Sequence, residues 1–225
     1  MRVVLSMEVV GLMSNKLNPD KALIFRIVHR DNVPWILKNG IHCRNSTTFD
    51  RNYINIGNPE LIDKRNHRVV PCHPGGTLSD FVPFYFTPFS PMLFNIKTGF
   101  GGITKRANEE IVIFVSSLPT LKSMNVPFVF TDRHAYLTTA QFYSDLAKID
   151  QIDWDILQRR DFKRSPDDPG KMERYQAEAL VHKVMPCDAL KGIVCYNEIV
   201  KRSLEKQVAE CELQLRIVVR PDWYF

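Results

Sequence analysis

Arg174-Tyr175-Gln176-Ala177-Glu178-Ala179-Leu180-Val181-His182 leaves a polar connector, residues 164–170, and enters an apolar run. The run has the length and composition of a buried strand. Gln176 and Glu178 are two residues apart, and alternation along a strand predicts that both side chains project from one face. A sheet rim carrying an amide beside a carboxylate is the feature around which the rest of the chain is read.

Outward from it, apolar runs and breakers alternate. Ala22 to His29 reads as a buried strand, followed by Asp31 or Asn32 as cap of a short helix through Pro34, Trp35, Ile36 and Leu37 that Gly40 stops. Residues 43–83 are rich in Asn, Gly, Pro and Thr, too sparse in apolar positions for a long regular element, and suit a functional covering loop. Val82 to Thr87 is a strand broken by the following prolines, Glu110 to Val115 a central strand, and Val126 to Thr131 another. Residues 138–160 predict two short helices capped at Thr139 and Asp153. Strands at 177–185, 192–197 and 213–219, with a helix over 198–209, complete the order. There is no regular βαβ rhythm, so the expected class is α+β. Gly99-Phe100-Gly101-Gly102 reads as a turn, and neither a Rossmann nor a P-loop glycine pattern is present, so a nucleotide would be held by other means.

The 225 residues, 44% hydrophobic, suffice for one packed domain, and the net charge of +5 permits a polyanionic partner without requiring one. Basic residues crowd the part before residue 70, where a positive face is expected. Five cysteines, an odd number without a C-x-x-C pair, point to a reducing cytoplasm. Met1 to Met13 is apolar but contains Glu8 and is too short to span a bilayer, so no membrane segment is expected. His42-Cys43 and Cys72-His73 match no zinc spacing, and no metal site is expected. Cys187, Cys195 and Cys211 read as packing residues.

The carboxylate of Glu178 could hydrogen-bond a ribose hydroxyl and stabilise an oxocarbenium-like transition state, with Gln176 orienting an acceptor. His29, at the end of its strand, could donate to a ribose or carboxamide, and Tyr85-Phe86-Thr87 offers an aromatic surface and a hydroxyl. Each feature alone more often marks ordinary core packing or a solvated strand edge. Their order, His, then Tyr in a strand, then Gln-x-Glu, matches the layout of ADP-ribosyltransferases.

The chain resembles the DarT family of toxin enzymes that ADP-ribosylate single-stranded DNA with NAD. The likeness runs from about Phe25 to the C-terminus. It is carried by Phe25-Arg26-Ile27-Val28-His29, Ile56-Gly57 with Lys64-Arg65 and Arg68, Pro74-Gly75-Gly76-Thr77-Leu78 and Val82 to Leu93. Thr131-Asp132-Arg133-His134-Ala135, Ile152-Asp153-Trp154 and Gln176 to His182 continue it. Lys64, Arg133 and Phe89 depart from the residues usual there. The resemblance implies an ADP-ribosyltransferase fold of split, mainly antiparallel sheets around an NAD cleft, with helical insertions, filling residues 1–225 as one domain. Residues 1–20 would be an extension of unknown role, 41–80 the region covering NAD, and 133–175 the acceptor-recognition insertion. It further implies Glu178 and Arg65 as catalytic residues, and His29, Asp31, Asn32, Gly40, Arg44, Tyr85 and Thr87 as NAD contacts. Gln176, Arg68, Tyr136, His134 and Arg160 would be DNA contacts, with Tyr143 and Trp154 as further stacking candidates and the core as the competing reading for Trp154. NAD would be the co-substrate, thymidine the acceptor base and a macrodomain antitoxin the partner. The rival readings are a transferase acting on RNA or protein, and a catalytically silent nucleic-acid-binding module.

Overall fold

The computed structural model describes residues 17–225, so the expectations for Met1 to Met13, and most of those for the extension, lie outside the described residues. Strand β1 (Leu23–His29) leads through a 3-10 turn into α1 (Val33–Asn39) and β2 (Ile41–His42). Then come α2 (Pro59–Arg65), β3 (Phe81–Tyr85), α3 (Pro91–Thr98), β4 (Ile111–Ser117), α4 (Leu118–Ser123), β5 (Phe128–Thr131) and β6 (Phe142–Tyr143). The last part adds α5 (Trp154–Arg159), α6 (Lys171–Tyr175), β7 (Glu178–His182), β8 (Val184–Met185), β9 (Gly192–Cys195), α7 (Glu198–Glu210) and β10 (Arg216–Val219).

Eight strands form one sheet in the order β10-β9-β4-β1-β3-β7-β5-β6, and β2 pairs with β8 in a small second sheet. All pairs are antiparallel except β9 with β10, which α7 connects. Both faces of the large sheet are covered. Ile24, Val28, Val82 and Phe114 pack on one side, and Phe25, Ile27, Ile113 and Val115 on the other. That is why β4 reads as an unbroken apolar run over Ile111–Val115, and all seven of its residues, Ser116 and Ser117 included, are buried.

The split expected of the fold lies at the middle of this sheet. β1 is registered with β4 along its whole length, from Leu23 opposite Ser117 to His29 opposite Ile111. On its other side it meets β3 at a single pair, Phe25 with Tyr85. The two halves therefore diverge beside Arg26, and the space they leave is the cleft. Tyr85 in turn lies opposite Glu178, so the sheet's one central contact and its buried carboxylate share a row.

Several local readings change. Gly40 does end α1, at φ 80, with its N–H on the Ile36 carbonyl; a Cβ there would lie 2.7 Å from the Met185 carbonyl oxygen. Asn32 precedes α1 but does not cap it: its side chain donates to the Ile54 carbonyl and accepts from the Ile54 N–H, both at 2.9 Å. Thr139 caps no helix. Phe142 and Tyr143 pair with β5 instead, and Asp145 caps a 3-10 stretch at Leu146–Gln151, while Asp153 caps α5 as expected. Trp154 is core, donating to the Ile149 carbonyl and meeting Phe86 edge to face. The strand expected over 177–185 is divided at Lys183, whose φ is 60.

Candidate active site

Glu178 opens β7 and is 2% exposed, a depth at which an unpaired carboxylate would not stay ionised. Its surroundings supply the compensation. Arg65 Nη1 donates to Oε2 at 2.9 Å, and the Ala135 N–H donates to Oε1 at 3.0 Å. Burial pushes this carboxyl up, but the Arg65 guanidinium and the Ala135 N–H together hold it below its ordinary range. Glu178 is thus an anion kept dry at the back of a cleft.

The backbone beneath it is clamped as well. Thr131 Oγ accepts the Glu178 N–H at 3.1 Å and donates to the Arg133 carbonyl at 2.6 Å. Arg68 then holds the segment that carries Ala135: its Nη2 donates to the Leu137 carbonyl at 2.9 Å and its guanidinium lies 5.7 Å from the Phe142 ring. His134 has its Nδ1 3.9 Å from Glu178 Oε1, too long for a hydrogen bond. That nitrogen accepts the Tyr136 N–H, and burial holds the ring below the ordinary histidine range, so it faces the carboxylate as a neutral imidazole.

Arg65 arrives from the far side of the cleft because α2 ends there. Asn58 caps this helix by accepting the Leu61 N–H, Pro59 occupies its first position, and Lys64 and Arg65 fill its last turn. Asn32 fastens the preceding loop at Ile54, and Arg44 pairs with Asp63 on α2 at 3.1 Å. Farther along, Asp80 accepts from Lys183 Nζ, Asn45 Nδ2 and the Thr77 N–H; these contacts outweigh its burial and keep its carboxyl far below the usual range. Residues 41–80 therefore form a roof braced within itself and tied to the rest of the fold at Asn32 and Lys183.

Under this roof lie two adjoining cavities. The smaller, about 150 Å3, reaches Glu178, Arg65, His134, Tyr85, Met92 and Val28. The larger, about 500 Å3, is bounded by Trp35, His42, Arg44, Phe49, Tyr53 and Phe81. Arg26, Tyr53, Asn55, Ile62, Arg65 and Pro83 line both.

The structure brings together Glu178, Arg65, Tyr85, His134 and Arg44 of the residues singled out by sequence. Burial beside Glu178 pushes the Tyr85 hydroxyl well up, so it stays protonated. Other candidates point elsewhere. Gln176 does not share a strand face with Glu178: it ends α6, with its amide on the Met172 carbonyl, and β7 begins two residues later. The cause is Arg174, which grips both oxygens of Asp168 and also Asp153, winding residues 171–175 into a helical turn. His29 is 3% exposed and borders neither cavity; its Nδ1 accepts the Asp31 N–H and its Nε2 lies 3.4 Å from Glu110. Asp31 is exposed beside it. Asn32 and Gly40 act in the framework, as does Thr87, whose hydroxyl accepts the Phe89 N–H. Tyr136 packs against the small core around Leu78 and Leu180, and Tyr143 against Phe130. Arg160 stacks 3.5 Å above the Phe89 ring. The positive face expected before residue 70 is partly neutralised by the pairs of Arg30, Arg44, Lys64 and Arg65. Thr131, Ala135, Tyr53 and Arg26 are site residues to which the sequence reading gave no role.

A carboxylate held at the meeting point of two half-sheets, with a roofed cleft and no phosphate-binding glycine loop, defines the class: an ADP-ribosyltransferase-type site. The family model described as "ssDNA thymidine ADP-ribosyltransferase, DarT" matches residues 25–225, and the chain belongs to the DarT family of DNA ADP-ribosyltransferases. It is 58% identical over 212 residues to a DNA ADP-ribosyl transferase of Escherichia coli O127:H6, covering 94% of this chain and 97% of that protein. A second, from Thermus sp. strain 2.9, is 35% identical over 210 residues, covering 92% and 98%. Two solved structures of the Thermus sp. 2.9 DarT are similar at 33% identity: its complex with ADP-ribosylated single-stranded DNA, with a TM-score of 0.85 over 93% of this chain and 99% of that one, and its complex with NAD+, with 0.79 over 92% and 99%. Among the described residues no helix is long and apolar enough to cross a membrane.

Proposed function

We propose that this chain breaks the bond between nicotinamide and ribose in NAD and joins the ribose C1 to a ring nitrogen of thymidine in single-stranded DNA, with Glu178 and Arg65 as the catalytic pair. The observation that carries the assignment is the dry, ionised Glu178 at the junction of the half-sheets, bonded to Arg65 and Ala135. Nicotinamide leaves as a neutral molecule with the electron pair of the broken bond, and positive charge grows on the ribose. A fixed carboxylate is worth more to that transition state than to NAD itself. The acceptor nitrogen gives up its proton to solvent as the new bond forms. A guanidinium beside Glu178 is placed to steady the negative charge that develops on the base. His134 and Tyr85, neutral groups on the cavity wall, bound the reacting centre without adding charge, and no metal ion is needed because the leaving group in NAD is already cationic.

DNA is read on the side of the 133–175 segment, which carries Ala135 and His134 to the carboxylate. His29, Asp31, Asn32, Gly40 and Thr87 shape the NAD cleft from outside it, while Arg44 and Tyr85 line it. Gln176, Arg68, Tyr136 and Arg160 support the acceptor side through the framework contacts described above. Five free cysteines suit a reducing cytoplasm, where a DNA-modifying toxin would be countered by a macrodomain antitoxin. The deciding experiment incubates the protein with NAD, with and without prior chelation, and each homopolymeric deoxyoligonucleotide, its RNA counterpart and a duplex. Mass spectrometry should find one added ADP-ribose on the thymidine oligonucleotide. Label confined to RNA or to protein would overturn the reading, as would NAD left intact in every mixture.

A further inference from the structure

We propose that Arg26 binds the diphosphate of NAD, an inference that rests on reading this cleft as the NAD site. Arg26 follows Phe25, the residue through which the halves of the sheet touch. Phe25 and Ile27 enter one apolar core and Ile24 and Val28 the other, and Arg26, on the same face as Ile24 and Val28, lines the cleft instead. There it borders both cavities at their junction.

Its bonding is incomplete. Nη1 donates to the Pro83 carbonyl at 2.8 Å and Nε is sealed from solvent without a partner, while Nη2 makes no hydrogen bond among the described residues and is the donor left open to a ligand. Among the described residues no carboxylate lies within ion-pair distance of it, whereas Arg44 and Arg65, the other arginines of the cleft, face Asp63 and Glu178. A guanidinium held half-buried, with an unmatched donor and no counter-charge, is a site for an anion. NAD carries its negative charge on the diphosphate, midway between its two nucleosides. The placement fits that layout: Glu178 marks the smaller cavity, where the reacting ribose is required, and Trp35, Phe49 and Tyr53 give the larger one aromatic surfaces suited to a purine. The link between them passes Arg26.

Calorimetric titration of NAD, ADP and adenosine into the wild-type chain, Arg26→Gln and Tyr53→Ala tests this. Arg26→Gln is expected to weaken NAD and ADP at least about tenfold, the scale of a lost charge-assisted hydrogen bond, and to leave adenosine within about twofold. The KM for NAD should rise by the same factor. Equal losses for ADP and adenosine, or no loss for ADP, would overturn the proposal. If Tyr53→Ala leaves all binding unchanged, the cleft is not the NAD site and both readings fall; if it weakens NAD while Arg26→Gln does not separate ADP from adenosine, the assignment of Arg26 falls alone. Should Arg26→Gln not fold, Arg26→Lys carries the same comparison: it keeps the charge but not the planar fork, and ADP should still weaken by about threefold or more with adenosine level.

Discussion

Arg65→Met should lower stability by about 3 kcal/mol at pH 7 and by about 0.7 kcal/mol at pH 5. At 2.9 Å the Arg65–Glu178 attraction is about 6 kcal/mol in an effective dielectric of 20, most of it spent on desolvating the two groups. Removing one partner of such a pair while the other stays charged costs about 3–5 kcal/mol. Glu178 has an escape: it can take up a proton. For a carboxyl with an ordinary pKa of 4.5, protonation at pH 7 costs about 3.4 kcal/mol, and at pH 5 about 0.7 kcal/mol. The cheaper route sets the loss. In the variant, with burial no longer opposed by Arg65, the folded carboxyl binds a proton that the unfolded one has lost, so stability falls as pH rises above 4.5. In the wild type its folded pKa is lowered and Glu178 is ionised in both states over this window, so it contributes no slope.

Urea denaturation of both proteins at pH 5, 6 and 7 gives the gap, and the infrared band of a protonated carboxyl, absent in an Arg65→Met, Glu178→Gln double variant, identifies the group. Catalysis should follow the same titration: whatever NAD hydrolysis Arg65→Met retains should rise with pH as Glu178 ionises. A gap that does not change between pH 5 and 7, with no such band, would refute the argument that Arg65 keeps Glu178 charged.

Glu178→Gln preserves the shape of the site without its charge; nicotinamide release should fall at least about a hundredfold while NAD affinity, measured by calorimetry, stays within a few-fold. Thr131→Val leaves the Glu178 N–H unpaired in the core and should cost about 1–3 kcal/mol in denaturation, with a larger drop in kcat than in NAD affinity. His134 is neutral in the fold because burial lowers its pKa, so the unfolded chain takes up the proton first and stability should drop as pH falls from 7 toward 5; His134→Asn should flatten that slope in melts at the two pH values. Affinity for single-stranded DNA should fall as salt rises, read by fluorescence anisotropy, and duplex should be a poor acceptor because extruding a paired base costs a few kcal/mol.

What could be read before folding, and what could not, divides by distance along the chain. β1, β4 and α7 announce themselves through local periodicity, and Gly40 through a conformation that suits glycine. α2 and α3 were also announced, by Asn58-Pro59 and Ser90-Pro91, each an N-cap residue followed by proline at the first helical position, but around α2 the apolar positions are too sparse to suggest a helix, and at α3 Pro88 and Pro91 read as strand breakers. Gln176 fails for the opposite reason: its spacing from Glu178 is a strand's spacing, and nothing adjacent tells that Arg174 will find Asp153, 21 residues away, and hold the chain in a helical turn. Arg65 stands among Lys64, His67 and Arg68 like any solvated loop arginine. Its partner is 113 residues downstream, and only the closure of the roof onto the split sheet makes the pair. Glu178 is legible as a residue type in a strand, whereas its ionisation is a property of the assembled fold. The carboxylate that the chemistry needs exists because α2 delivers a guanidinium across the cleft and the loop after β5 turns one backbone N–H back toward it.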